Sequence, residues 1–449
     1  MRRLEDGTPR RHITLDLEGH PVPAREGESA AAALLAAGEA VFSRSVKYHR
    51  PRAPYCMSGA CSHCLMRVDG VPNVFTCCVP ARPGMRLERQ NAYPSVEHDV
   101  FGAIDWIFPH GLDHHEMFAG VPVAEQVMAK VARHLAGLGL LPDKVAPQRQ
   151  PTEILHVRAL VVGGGAAGLA AARELQSAKV PFLLIERETS LGGRLAWGAP
   201  GRNDPPLSTY EQLEPGQLRL GTLAIGLFDD EAGRFVAAVS FSPGQGPRLL
   251  KVYADRFLFA TGGYPMMWAF ANNDAPGVFS GRAVAKLIRR DRLLPGERFA
   301  LVGTGPELYD LNRLVTSKGG EVVLMLDVAA DPPKDAPPGA QRGEPLKALG
   351  RTKVKGLTWS DRSGRKNKVA CDAIAVCVPV SPAFELARQA GAEVVFSEAH
   401  QGFVVKADPE GRTEAEHIYV AGDLLGEGTA AQAAESGARA AKALVGGLR

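Results

Sequence analysis

The 449-residue sequence predicts an α/β protein with two dinucleotide-binding domains behind an N-terminal β-grasp domain. Three observations carry that expectation. Five of the seven cysteines crowd into "YCMSGACSHCLMRVDGVPNVFTCC", residues 55 to 78. A strand, glycine turn and helix are written in "RALVVGGGAAGLAAARELQ", and the same pattern returns in "RFALVGTGPELYDLNRLVTSKGGEVVLMLD" at 298 to 327. The length exceeds what one core fills and suggests roughly three units.

The first unit is read from its order of elements. "HITLDLEGHPVPAREG" alternates apolar and polar residues across a Glu-Gly turn, as two short strands do. "ESAAAALLAAGEA" reads as a short helix closed by Gly38, and "LMRVDGVPNVFTCCV" as a hairpin around Asp69-Gly70. Strand, strand, helix, loop and hairpin in that order make a β-grasp ferredoxin-like domain. Its cysteines run Cys56-x4-Cys61-x2-Cys64, with Cys77 after twelve intervening residues and Cys78 adjacent. Structural zinc sites usually bring two CxxC-like knuckles. Three thiols in one loop with a further cysteine downstream instead follow the plant-type [2Fe–2S] pattern. Gly59 and Ala60 are small enough for a close backbone approach to sulfur. The expected ligands are Cys56, Cys61, Cys64 and Cys77. Cys78 is expected to point into the core, because adjacent residues of a strand face opposite sides.

In the second unit, Ala159 to Val162 make a strand and Gly163-x-Gly165-x-x-Gly168 the turn. Ala166 and Ala167 fall within that turn, Ala170 to Gln176 continue as a helix, and "FLLIE" then ends in Glu186 beside Arg187. Glycines in such a turn let the backbone and helix N-terminus approach a pyrophosphate, and an acid at the second strand's tip suits a ribose hydroxyl. Two more stretches point to FAD. "LGGRL" sets Gly192, Gly193, Arg194 and Leu195 where a second glycine turn could pass the flavin ring. "HIYVAGDLLGEGTAAQAAESG" ends a strand at Gly422-Asp423 and opens a helix near Thr429 and Ala430, whose N-terminus favours negative charge. "DRFLFATGG" places Thr261 and Gly262 at a crossing between the nucleotide domains. The whole is a two-dinucleotide-binding-domain flavoprotein fold of the disulfide-reductase-like kind, although no CxxC after residue 150 offers dithiol chemistry.

The third unit keeps Gly303 and Gly305 in register but puts Leu308 at the third glycine position, which should push the helix off its strand. Asp327 ends its second strand and would favour NAD over NADP. A working nucleotide site and a structural relic are both open readings. Cys371 and Cys377 lie on strand-like runs and are expected in the core. The domains expected are 1–95 (ferredoxin-like), 96–155 (a linker with a helical segment), 156–265 with 370–449 (FAD type) and 266–369 (second nucleotide domain). His110, His114 and His115 fall in the linker without carboxylate spacing for a metal.

A formal net charge of +3 with no long basic run gives no reason to expect nucleic acid. "MRRLEDGTPRRH" has no apolar stretch behind it, so neither a signal peptide nor a twin-arginine export signal is expected. No apolar run approaches the ~20 residues of a membrane span. A cytoplasmic location is therefore expected, where stable disulfides are unusual.

"FSRSVKYHRPRAPYC", the cysteine loop and "VDGVPN" together resemble the α-type subunits of heterotetrameric sarcosine oxidase. They are similar also to the related subunits of hydrogen cyanide synthase, opine oxidases and dye-linked proline or hydroxyproline dehydrogenases. The resemblance extends over nearly the whole chain. It implies an oxidoreductase acting on CH–NH or CH–NH2 donors as part of a complex. A separate FAD-dependent amino-acid oxidoreductase subunit would take the substrate hydride, further small subunits can accompany it, and this chain would carry electrons onward. Relatives differ in whether the main pocket holds FAD, NAD or ATP, and FMN at a subunit interface is a further cofactor to expect. No folate-binding module is expected after the FAD-type motif, since the sequence ends at Arg449. No catalytic residue can be picked out. The rival readings are a self-sufficient NAD(P)H-dependent reductase and a nucleotide-binding scaffold for a catalytic flavin partner.

Overall fold

The computed structural model describes the chain apart from residues 6, 8, 9, 47, 104–122, 124–150, 200, 202, 203, 211, 212, 242–246, 330–338, 401 and 449. Most of the expected linker, with His110, His114 and His115, lies outside the described residues. The chain divides into two compact units: residues 1–145 with 267–378, and residues 146–266 with 379–449.

The first unit opens with a five-stranded sheet in the order His20–Arg25, His12–Leu17, Arg86–Glu88, Leu65–Val68, Val71–Phe75. The outer hairpins are antiparallel, while His12–Leu17 runs parallel to Arg86–Glu88 at the centre. Alternation decides which side is buried: Ile13, Leu15 and Leu17 point inward while His12 and Thr14 are exposed. Helix Ala30–Ala36 covers that face. Ser29 caps it, its hydroxyl accepting from the Ala32 amide, and small alanines let it lie close to the sheet.

The same unit contains a seven-stranded sheet in the order Val278–Ser280, Ala373–Cys377, Arg298–Gly303, Glu321–Asp327, Gln341–Leu349, Gly356–Asp361, Lys366–Val369. Its first five strands are parallel, and helix Gly305–Ser317 follows the glycine turn. Ala373–Cys377 pairs with Arg298–Gly303, so the chain leaves this domain after Val378 and not at residue 370. Five consecutive buried apolar residues in that strand suit a central parallel position. Ferredoxin-like and second nucleotide domains are joined directly. Arg2 and Arg3 pair with Leu294 and Leu293 as an added antiparallel bridge, and Asp291, fully buried, accepts the Ser29 amide at 3.0 Å.

The second unit is one dinucleotide domain. Its sheet runs Leu218–Arg219, Phe182–Ile185, Glu153–Val162, Arg248–Phe259, Gly233–Ser240, Thr222–Asp230, and Ile418–Val420 also pairs with Arg248–Phe259. Helices Ala166–Ser177 and Ala430–Leu448 pack on it through an alanine-rich core. They approach so closely that a Cβ on Gly437 would lie 2.0 Å from the Ala167 carbonyl oxygen. Among the described residues no helix is long and apolar enough to cross a membrane.

Candidate functional site

The cysteine loop folds inward. Cys56, Cys64 and Cys77 are buried and Cys61 is half-buried. Their thiols meet. Cys56 shares hydrogen bonds with Cys61 and Cys77, and Cys77 with Cys64. Those bonds hold the Cys56 thiol far below its ordinary range; the bond with Cys56, then burial, pushes Cys61 up, and bonds with Cys56, Cys64 and Cys78, then burial, push Cys77 up. The Ser58 amide points at Cys56 Sγ and the Gly59 amide at Cys77 Sγ, each at 3.4 Å. Amides aimed at sulfur suit thiolates that carry cluster charge. No three His, Cys, Asp or Glu side chains among the described residues are arranged to share a single metal ion. Four cysteine thiols, two of them met by backbone amides, are the donor chemistry that a [2Fe–2S] centre takes. Burial, then the Arg52 charge, pull His63, between Cys61 and Cys64, down to about 4, so it is a neutral neighbour at physiological pH.

Cys78 is a correction. The residue is exposed, and its sulfur lies 3.7 Å from Cys77 Sγ. The pair sits in a turn after strand Val71–Phe75, so strand alternation does not separate the two side chains. Cys371 and Cys377 are buried, and burial pushes both thiols up, Cys371 to about 12.

In the second unit the glycine turn has the shape a dinucleotide needs. Gly163 sits at φ 107°, and a Cβ there would lie 2.3 Å from the Ala260 oxygen. At Gly168 a Cβ would meet the Gly163 oxygen at 1.8 Å, so only glycine lets helix and strand close. Gly165 is different: nothing lies within 4 Å of the position its Cβ would take. Two glycines are demanded by the protein, and the third leaves a space for something else. Ala166 and Ala167 are buried in the first turn of the helix.

Glu186 ends its strand as expected. Its carboxylate accepts the Gly164 amide at 2.5 Å and the Glu188 amide at 2.7 Å, and burial raises its pKa. Gly164 was not singled out from the sequence, although "GGG" contained the signal. Arg187 is exposed beside it. Gly192 and Gly193, both at positive φ, fold back on the first turn: the Gly192 amide donates to Gly164 O at 2.8 Å, and a Cβ on Gly193 would lie 3.1 Å from Gly165 Cα. Arg194 donates to the Gly428 carbonyl and Leu195 is buried. Trp197 adds an indole nitrogen, buried and without a hydrogen-bond partner, that a bound group could satisfy.

Thr261 donates to the Ala383 carbonyl at 2.8 Å, and a Cβ on Gly262 would lie 3.9 Å from Asp423 Oδ2. The Gly422 amide donates to Ser436 Oγ, which fixes the turn that carries Asp423. Thr429 precedes the last helix and Ala430 starts it, buried. All the residues expected to hold the first nucleotide thus lie in one unit.

The second fingerprint is changed around an intact turn. Gly303 and Gly305 keep their places, and Gly305 is at φ 71° with open space beside it. Leu308 is fully buried in helix Gly305–Ser317. Asp327 is buried too: it accepts the Tyr309 hydroxyl at 2.7 Å and the Ala329 amide at 2.9 Å. The acid expected to meet a ribose is already engaged.

Two family models match regions of the chain that contain these residues. Residues 10–92 match the 2Fe-2S iron-sulfur cluster binding domain family, and residues 161–203 match an NAD(P)-binding Rossmann-like domain. The chain is 26% identical over 459 residues to the alpha chain of sarcosine oxidase from Rhizobium meliloti (strain 1021), covering 96% of this chain and 46% of that one. It is 25% identical over 335 residues to the A-type polypeptide of opine oxidase from Agrobacterium tumefaciens (strain Ach5), 65% of each. Against the HcnA component of hydrogen cyanide synthase from Pseudomonas aeruginosa it is 34% identical over 93 residues, 20% of this chain and 88% of that one. The chain thus spans about half the length of the sarcosine oxidase polypeptide. Among solved structures, L-proline dehydrogenase from P. horikoshii superposes with a TM-score of 0.70 at 21% identity over 99% of this chain and 76% of that one. The T. acidophilum thioredoxin reductase gives 0.51 at 16% identity over 65% of this chain and 98% of that one. These likenesses establish the fold, an N-terminal ferredoxin-like domain on a disulfide-reductase-like flavoprotein scaffold.

Proposed function

We propose that this chain, which belongs to the family of sarcosine oxidase alpha, opine oxidase A and hydrogen cyanide synthase HcnA subunits, is the electron-transfer subunit of an amino-acid or secondary-amine dehydrogenase complex. One observation carries the reading. The described residues provide four neighbouring cysteine thiols, joined in the order Cys61, Cys56, Cys77, Cys64, and an open glycine cradle, yet no evident constellation for an amine substrate. The cradle is assigned to FAD and the thiols to a [2Fe–2S] cluster. When bound, the flavin supplies two-electron acceptance with single-electron release, and the cluster accepts electrons singly.

The chain's own residues then have distinct tasks. Gly163 and Gly168 hold strand and helix together so that the amides at the helix start face the pyrophosphate. Glu186, held by the Gly164 and Glu188 amides, presents a carboxylate to the adenine-side ribose. Asp423 is assigned to the ribityl hydroxyls, and the N-terminus of helix Ala430–Leu448 would supply positive potential. Cys56, Cys61, Cys64 and Cys77 hold the iron, with the Ser58 and Gly59 amides on two of the sulfurs. The substrate hydride and the site for the substrate carboxylate are both assigned to a separate flavin-bearing partner. A nicotinamide-fed reductase is disfavoured, because Asp327 is sequestered by Tyr309.

The test is anaerobic mixing of the purified chain with proline, hydroxyproline, sarcosine and glycine. The chain alone should not bleach its flavin or reduce a dye, and it should gain dye reduction when a partner flavin oxidoreductase is co-expressed. Bleaching by the chain alone would place the active site within these residues. Release of only NAD or ATP on denaturation would keep the fold and replace the ligand.

A further inference from the structure

The second nucleotide domain keeps its sheet and its glycine turn, but Asp327, the acid a ribose would use, is already bonded to Tyr309. In open parallel sheets a ligand sits outside the carboxyl ends of the strands, where the strand order reverses. Here that place lies between strands Arg298–Gly303 and Ala373–Cys377, next to Ser280 at the end of the edge strand. The cluster loop comes to the same place. Tyr55 and Cys56 belong to one buried apolar cluster with Val278, Val302, Val376 and Val378. The Ser280 amide donates to the Tyr55 carbonyl at 2.9 Å. Tyr55 is 2% exposed. Glu307 lies in the first turn of helix Gly305–Ser317, where a carboxylate opposes a pyrophosphate.

The flanks of the loop are tied to the same domain. Arg52 and Arg50 both pair with Asp274, at 2.6 Å and 3.2 Å, and Arg50 also donates to Asn272 Oδ1 at 3.0 Å. Both arginines lie just before the first cluster ligand, so the loop enters its turn already anchored.

We propose that the ligand of the second dinucleotide domain is the chain's own cluster loop: Tyr55 seats on the carboxyl end of the sheet, excludes nucleotide from it and fixes the backbone of Cys56. The domain has become a holder for the iron–sulfur centre. This rests on the cluster reading for its consequence but not for its geometry, since Tyr55 belongs to the polypeptide whatever the thiols bind. The seat makes two predictions that can fail separately.

Hydrogen exchange of the full-length chain as purified is the readout, with iron, sulfide and flavin analysed on the same sample. NADH, NADPH or ATP at millimolar concentration should protect segment 163–168 or nothing, and should leave 303–309 unchanged. Protection of 303–309 by any of them would overturn the proposal. Tyr55→Ala should speed exchange at Ser280 and across 302–309 by about tenfold or more, with flavin content unchanged. If that variant does not fold, Asp274→Ala, which cuts both arginine ties, should give a smaller increase in the same segments. Unchanged exchange there in either folded variant would overturn it. Absence of iron from the parent protein would instead sink the cluster reading and leave the seat standing.

Discussion

Replacing Gly168 with alanine tests the nucleotide cradle through a single methyl. The added Cβ would lie 1.8 Å from the Gly163 carbonyl oxygen, 3.0 Å from its carbon and 3.5 Å from Val161 Cγ1. Ordinary contact needs well over 3 Å, so helix Ala166–Ser177 must retreat by more than an ångström. It cannot retreat freely, because Gly437 of the last helix already lies against the Ala167 backbone. Overpacking of this kind costs about 1–3 kcal/mol. If the displaced helix start loses that amount of pyrophosphate binding, affinity falls by roughly 5- to 150-fold. Gly165→Ala is the contrast: its backbone sits at φ −78°, which alanine adopts, and nothing lies within 4 Å of the new methyl. Its folding stability should change by no more than about 0.5 kcal/mol, as for substitutions that touch no packed feature. Its methyl should nonetheless obstruct the ligand. The assay is flavin released per chain on denaturation, alongside urea midpoints of flavin-free protein. Gly168→Ala should lose both stability and flavin, and Gly165→Ala flavin alone. Full flavin retention by Gly165→Ala would refute the reasoning, because the space would then not belong to the nucleotide.

Cys61→Ser should abolish the iron and sulfide, about two of each per chain in the anaerobically purified parent, while Cys78→Ser leaves both intact; stoichiometric zinc without labile sulfide would sink the assignment. Leu308→Ala should cost about 2–5 kcal/mol as a fully buried truncation and gain no NADH affinity, because Asp327 stays bonded to Tyr309; a low-micromolar NADH titration in that variant would contradict it. Burial holds the Glu186 carboxyl above its ordinary 4.5, so folding favours the protonated form. Its contribution to stability is present below the ordinary value and lost as pH rises through the raised one. Flavin-free Glu186→Gln should therefore gain on the parent from pH 4.5 toward neutrality in urea midpoints, and a pH-independent gap would show that the carboxylate is not penalised.

The cysteine spacing, the two glycine turns and the hairpin at Asp69-Gly70 were legible in the sequence because each is decided within a few residues. A turn that needs positive φ or a backbone that must come close to sulfur admits few residue types, and the chain shows them in order. Strand patterns were legible for the same reason, since His12–Leu17 alternates and Phe182–Ile185 is apolar throughout. What a side chain meets across the fold was not legible. Cys78 is exposed because a turn ends the strand before it. Asp327 is spent on Tyr309 because helix and strand bring together residues 18 apart in sequence. The strand at 373–377 joins the second sheet because its slot beside Arg298–Gly303 is completed only when the distant strands are in place. Tyr55 reads from sequence as one more residue beside a cysteine. Its seat among Val278, Val302 and Val376 depends on packing between segments more than 200 residues apart, which no local pattern of charge or periodicity encodes.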